Sequence, residues 1–493
     1  MPEGSHLHSE SVHRKYSRLP TSLAHHSTLA GSWYPSGVSE LQRLLDAALG
    51  SSLDRTGSFV RQGGLAFLVP HAAPAYSGAV AASVYRHVQA AGVTRVVILG
   101  FSHRHPIQGI AVPRVDRIET PLGAIPIHRE TADSLAASPP FHSVPVSAAC
   151  DHSVEIQIPF LQTFVPAAKL VPLYVGRLTA EQRAAAAGAL RCLLDNRTVL
   201  IASSDLTHYG RDFEYLPFPL DSHTPDRLRT LDSAVLAAAG SLDPVLFDGE
   251  LSRTGATVCG AGPIRLLLET LSGLPVETFQ ETFDYDTSGA LSRDYEHSVS
   301  YAAVGYFPPA AYQLDAPSQA ALLHSARFTL DHHRRTGESR FLPSPAGSPL
   351  HQRGRAFVSL SAHGTLRGCT GRFADPTSLD GCVPRLALSA AYDDRRFAPV
   401  SAQEELEIEI HILTPPKRIA DPQQLKIGEH GGFLRRGPHR GLLLPTVATT
   451  HHLSRQQFLQ ALAQKAGVSE SVYASGDCEL SVFRDQCFSE QPL

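Results

Sequence analysis

Ligating side chains sit where apolar runs stop in this chain. His71 follows LAFLVP, His103 follows VVILGFS, and Asp205 and His208 follow VLIASS. A thiol, Cys259, lies among glycines in TGATVCGAG, just ahead of the helical pattern PIRLLLETL. Short continuous apolar runs read as strands buried on both faces. In an open α/β sheet, ligands and metals collect in the loops at the carboxyl ends of such strands. Imidazole and thiolate are ligands suited to iron, copper or zinc. A helix amino end beside Cys259 would favour its thiolate through free N–H groups. Any one of these histidines alone is as readily a satisfied core residue. Four ligand-bearing loops in one unit point instead to a shared metal pocket.

The elements that must position these residues alternate. A helix is expected in SGVSELQRLLDAAL, capped by Ser36 or Ser39. Strand LAFLVP, helix AVAASVYRHVQAAG and strand TRVVILG follow, then strand KLVPLYVG, helix TAEQRAAAAGALRCLLD and strand TVLIASS. This rhythm predicts an α/β fold with a mixed, mostly parallel sheet flanked by helices. The strand SYAAVGYF closes that unit, and the proline-rich residues 309–317 read as a linker. Beyond it the character changes. A helix ends at Gly337, RAFVSLSAHGTLRGCTG reads as a hairpin, and ELEIEIHIL alternates with period two, the mark of a half-exposed antiparallel strand. The expected organisation is a polar, disordered leader over 1–27, a metal-binding α/β domain over 28–308, the linker, and a smaller α+β domain over 318–493.

Composition narrows the functional classes. A chain of 493 residues exceeds one ordinary core. Its net charge of −4 offers no basic field for nucleic acid or anionic lipid. No apolar run approaches the roughly 18 residues needed to cross a bilayer. Seven scattered cysteines with no CxxC pair argue for reduced thiols in the cytoplasm rather than a disulfide framework. Cys150 and Cys192 read as small buried hydrophobes, and the single Trp33 as a packing anchor.

In order along the chain, AGSWYP, PHAAPAYSG, LGFSH, DHSVEIQIPFL, SSDLTHYG and CGAGPI resemble the Memo family over 28–307. That family is similar to the class III extradiol dioxygenases, whose pocket holds non-haem iron(II). The resemblance implies His71, His103 and Cys259 as metal ligands for iron(II) or copper, with zinc as a further option. It implies His208 as the acid/base histidine, with Asp205 as its orienting carboxylate. His152 and Glu155 of the DHSVE motif are pocket-adjacent candidates. A cysteine in place of the dioxygenase carboxylate changes the ligand set. HAAPAYSG and Phe101 also depart from the family pattern beside two of the ligands.

A second constellation lies in TLRGCTG, where Arg367 and Cys369 stand between glycines. An arginine beside a cysteine can lower the thiol pKa and create a nucleophile. The competing reading is a small thiol in a tight strand corner. LRGCTG, DDRRFAPV, GEHGGFL, GLLLP and FLQALAQKAG together resemble an AMMECR-type domain over about 318–490. Arg367, Cys369, Asp394 and His430 are its candidate site residues. A Memo-like unit fused to an AMMECR-type unit resembles two components of the AmmeMemoRadiSam system. This implies a metal-dependent, dioxygenase-like redox enzyme acting on a small, aromatic-type molecule, with a radical S-adenosylmethionine protein as partner. The alternative is a non-catalytic metal-binding or partner-binding protein with a degenerate pocket.

Overall fold

The computed structural model describes residues 23–490, apart from residue 374. Its largest sheet runs through Ala66–Val69, Thr198–Ser203, Arg95–Gly100 and Lys169–Val175, neighbours that all pair parallel. Almost every residue of these strands is buried, because helices cover both faces and the apolar runs need no polar alternation. Antiparallel strands extend both ends. Ile110–Pro113 joins Lys169–Val175, and His297–Phe307 joins Ala66–Val69 and also pairs Phe279–Thr287. The fold is thus mixed α/β, with its parallel strands at the centre.

Local details differ from the sequence reading in three places. The helix Val38–Thr56 starts from Gly37, with no side-chain cap from Ser36 or Ser39. Residues 1–22 of the expected leader lie outside the described residues, but Ala24–His26 form a strand paired in parallel with Arg117–Thr120. Backbone pairing with a neighbour orders that stretch despite its polar composition. The segment 309–317 is not a free tether. Pro309–Tyr312 make a 3-10 turn, Tyr312 is buried against Phe279 and Phe307, and Leu314 enters the next core.

The remainder builds two smaller sheets. One orders Thr365–Arg372, Ala356–Ala362, Glu407–Leu413 and Asp485–Ser489, covered by helices Ala316–Thr336 and Leu379–Tyr392. The other orders Lys417–Ile419, Glu479–Phe483, Gly431–Arg436 and His439–Leu443 around helix Arg455–Ala466. The helix ending at Gly337 and the hairpin fall where the sequence places them.

Buried ion pairs join these parts. Glu281 accepts from Arg61 at 2.8 Å and from Arg355 at 3.1 Å, while Arg61 also reaches the Ala311 carbonyl and Gln352. The Arg61 guanidinium stacks on Tyr312, 4.1 Å from its centroid. Glu277 accepts from Arg484 at 2.7 Å and pairs with His430 at 3.0 Å. Burial opposes the charge on Glu281, yet the Arg61 and Arg355 guanidiniums outweigh it and hold the carboxyl at about 2. A carboxyl lowered on folding stabilises the folded chain above its unfolded value near 4.5. That contribution is lost as pH falls toward 2. Glu281→Gln, which strands two buried cations, is expected to cost about 3–5 kcal/mol at neutral pH. Denaturant unfolding at pH 7 and at pH 3 should show the difference between variant and wild type shrinking at the lower pH.

Candidate metal centre

Three adjacent parallel strands end at one edge of the large sheet, and each delivers part of the pocket. His71 lies two residues beyond Ala66–Val69, His103 three beyond Arg95–Gly100, and Asp205 two beyond Thr198–Ser203. The register is parallel throughout, so all three loops emerge on the same side. His152 arrives from elsewhere, at the start of the short helix His152–Glu155, which Asp151 caps by accepting the Ser153 amide at 3.0 Å.

His71, His103 and His152 each present a ring nitrogen within 4.8 Å of the other two. They line a cavity of about 640 Å³ whose walls include Trp33, Tyr76, Asp205, His208 and Tyr301. The Trp33 ring packs on His152 at 4.4 Å, so the residue expected as a packing anchor also forms a pocket wall.

Hydrogen bonds fix which nitrogens are free. His103 pairs through Nδ1 with Asp151 Oδ1 at 2.9 Å, and its backbone amide donates to Oδ2 at 3.0 Å. Burial resists the Asp151 charge, but these bonds and the Ser153 amide hold the carboxyl well below its usual range. An ionised carboxylate can only accept, so Nδ1 of His103 carries the proton and Nε2 keeps its lone pair. Burial, reinforced by the nearby His103, pushes His71 down to about 3. It pushes His152 to about 3 as well. Both are neutral at physiological pH, the form that binds metal. A buried network steadies His71. Its Nδ1 lies 3.2 Å from Ser203 Oγ, which accepts from Gln157 Nε2, and Gln157 in turn accepts from Tyr85.

Cys259 Sγ lies 3.2 Å from His71 Nε2, but it is not part of the three-nitrogen group. Its position depends on Gly260. A Cβ there would stand 2.4 Å from Ser204 Cβ and 2.7 Å from the Ser203 carbonyl oxygen. The expected thiolate at a helix amino end is offset: burial and then the Asp205 carboxylate push the thiol up, not down. A bound cation would reverse that balance.

His208 points into the cavity, and its Nδ1 sits 3.0 Å from the Leu206 carbonyl and 3.1 Å from that of Thr257. Carbonyls only accept, so Nδ1 is the protonated nitrogen and Nε2 is a free base. The orienting role expected of Asp205 therefore falls to these two carbonyls. Asp205 instead accepts the His71 and Ala72 amides at 2.8 and 3.3 Å, and burial raises its carboxyl to about 6. Glu155 leaves the pocket altogether and bonds His25 and the Thr28 amide.

The second constellation is only partly assembled. The Cys369 amide donates to Asp394 Oδ2 at 2.9 Å, and Arg396, which the sequence did not single out, bridges Asp394 and the Cys369 carbonyl. Arg367 is engaged by Glu404. Gly368 has a packing reason, since a Cβ would meet the Ala390 carbonyl oxygen at 1.9 Å. His430 is buried against Glu277 at the junction with the large sheet's unit, through a long-range pairing with no sequence signal. Burial lowers the Lys465 ammonium, and the Cys369 sulfur partly offsets that shift. Cys192 is exposed and Cys150 half-buried, contrary to the expectation of buried thiols.

The Memo-like protein family matches residues 25–305 and the AMMECR1 family residues 323–488. Protein MEMO1 of Homo sapiens is 30% identical over 285 residues, 56% of this chain and 94% of that protein. A MEMO1 family protein of Methanobrevibacter smithii is 33% identical over 241 residues, 48% of this chain and 80% of that protein. Among solved structures, protein PH0010 of Pyrococcus horikoshii is 27% identical, at a TM-score of 0.34. It covers 36% of this chain and 94% of its own.

The donor set fits a borderline divalent ion: neutral imidazoles with oriented lone pairs, and a sulfur beside one of them. Asp151→Asn is expected to weaken metal affinity about 10–100-fold by loosening the His103 ring. Chelator competition on folded variant and wild type checks this.

Proposed function

Because the chain belongs to the Memo family and carries an AMMECR1 domain, we propose that its pocket binds iron(II) or copper and performs dioxygenase-like redox chemistry on a small aromatic molecule. The supporting observation is the convergence of His71, His103 and His152 at the wall of a cavity that His208 also faces. His71, His103 and Cys259 remain the proposed ligands, with His152 as a further donor. Zinc would suit the same atoms. When bound, iron or copper would supply one-electron chemistry that amino-acid side chains lack.

The residues of the chain have separate tasks. His208 Nε2 accepts a proton from a substrate hydroxyl, while the Leu206 and Thr257 carbonyls stabilise the imidazolium through Nδ1–H. Trp33 and Tyr301 offer flat apolar walls for a ring. Asp205, near 6, would adjust its charge to that of the pocket. The AMMECR1 domain brings Cys369 and Asp394 together as a second candidate site, and a radical S-adenosylmethionine protein is the proposed partner. Seven unpaired cysteines favour a cytoplasmic setting. Among the described residues, no helix is long and apolar enough to cross a membrane.

Metal analysis and oxygen uptake with a panel of catechols test this reading. His71→Ala and Cys259→Ala should each lower bound metal. His208→Ala should keep the metal and lose about 10²–10⁴-fold in turnover. Equal metal in Cys259→Ala and wild type would remove the sulfur from the site. A tightly held metal inert to oxygen and every catechol would favour a non-catalytic metal- or partner-binding role.

A further inference from the structure

Among the described residues, a further group of ligand-type side chains converges on a cavity outside this pocket. His25, Cys150 and Glu155 present a nitrogen, a sulfur and a carboxylate oxygen, all within 4.8 Å of one another. They line a separate cavity of about 740 Å³, together with Arg104 and Arg114. His25 comes from the strand Ala24–His26, whereas Cys150 and Glu155 flank the turn that carries Asp151 and His152. That turn therefore has two working sides. His152 joins the histidines of the first pocket, and Cys150 and Glu155 open onto the second.

We propose that His25, Cys150 and Glu155 form a second metal site, of zinc type, with its remaining coordination position open to the second cavity. One imidazole, one thiolate and one carboxylate are a borderline donor set that zinc accepts, and three protein ligands leave a fourth place for water or a small ligand. The Glu155 side chain is only 2% exposed and pairs with His25 Nε2 at 2.8 Å. A divalent ion would neutralise this buried carboxylate and, by displacing the thiol proton, take the Cys150 sulfur as a ligand. It would replace the His25–Glu155 hydrogen bond by two coordinate bonds, widening that separation to roughly 3.3 Å at tetrahedral zinc. Glu155 Oε2 keeps the Thr28 amide at 3.2 Å, which orients the carboxylate from outside the coordination shell. Binding releases the Cys150 proton, so uptake strengthens with pH. The competing account is a plain His25–Glu155 pair that pins the first strand, with Cys150 as a bystander.

Cobalt(II) titration of the full chain separates the two accounts, because a cobalt–thiolate bond gives a near-ultraviolet charge-transfer band. The Cys259→Ala variant, which cannot bind through the first pocket's sulfur, should still take up cobalt with such a band. Adding Cys150→Ser should abolish the band, and Glu155→Gln alone should weaken cobalt affinity at least about 10-fold. An identical band with and without Cys150 would overturn the proposal, as would the absence of any band in Cys259→Ala. If Cys259→Ala does not fold, Cys150→Ser in the otherwise unchanged chain must lower the band intensity. An unchanged intensity there overturns the proposal as well. None of these readings depends on oxygen chemistry in the first pocket.

Discussion

Parallel register is the constraint on which the site rests. Ala66–Val69, Thr198–Ser203 and Arg95–Gly100 lie side by side and run the same way, so their carboxyl ends share one edge. Two carboxylates then lock the loops that leave that edge. Asp205 ties the His71 and Ala72 amides to the neighbouring strand's loop, and Asp151 ties the His103 backbone and ring to the start of helix His152–Glu155. A one-strand displacement or a reversed strand would scatter the imidazoles. The interior packing of those apolar strands is thus a precondition for the polar chemistry above them.

Protonation follows from the same architecture. Each pocket histidine has one nitrogen engaged by the protein: His71 at Ser203, His103 at Asp151 and His208 at two carbonyls. The Nε2 atoms of His103 and His208 are left for a ligand, and that of His71 lies 3.2 Å from Cys259 Sγ. Burial keeps His71 and His152 neutral where an exposed imidazole would be partly charged.

Much of this was legible in the sequence, and for a definite reason. Buried parallel strands are continuous apolar runs, and ligands that follow them directly, such as His71 and His103, inherit their placement. The hairpin around Cys369 was legible as two strands joined by a turn, and the strand Glu407–Leu413 beside it through period-two alternation. What depended on distant partners was not. Asp205 is near His208 in sequence, yet its carboxylate oxygen serves His71 and Ala72. His430 shares a domain with Cys369, yet its partner Glu277 lies 153 positions away. Glu155 shares its motif with His152, yet its carboxylate turns away from the pocket to His25. For the Cys259 thiol the sequence displays the helix end but not the burial and the adjacent carboxylate that push it the other way.

The junction built on Tyr312 and the two glutamates bears on how the halves cooperate. A loose tether would let each half sample many orientations and meet its neighbour by random collision. Here Tyr312 and Leu314 are driven like wedges into the flanking cores, and Glu277 and Glu281 clamp cations from the far side. The span between the large pocket and the Cys369 corner is accordingly built in, as on a jig. A molecule handed from one to the other would have to cross the distance that these contacts set.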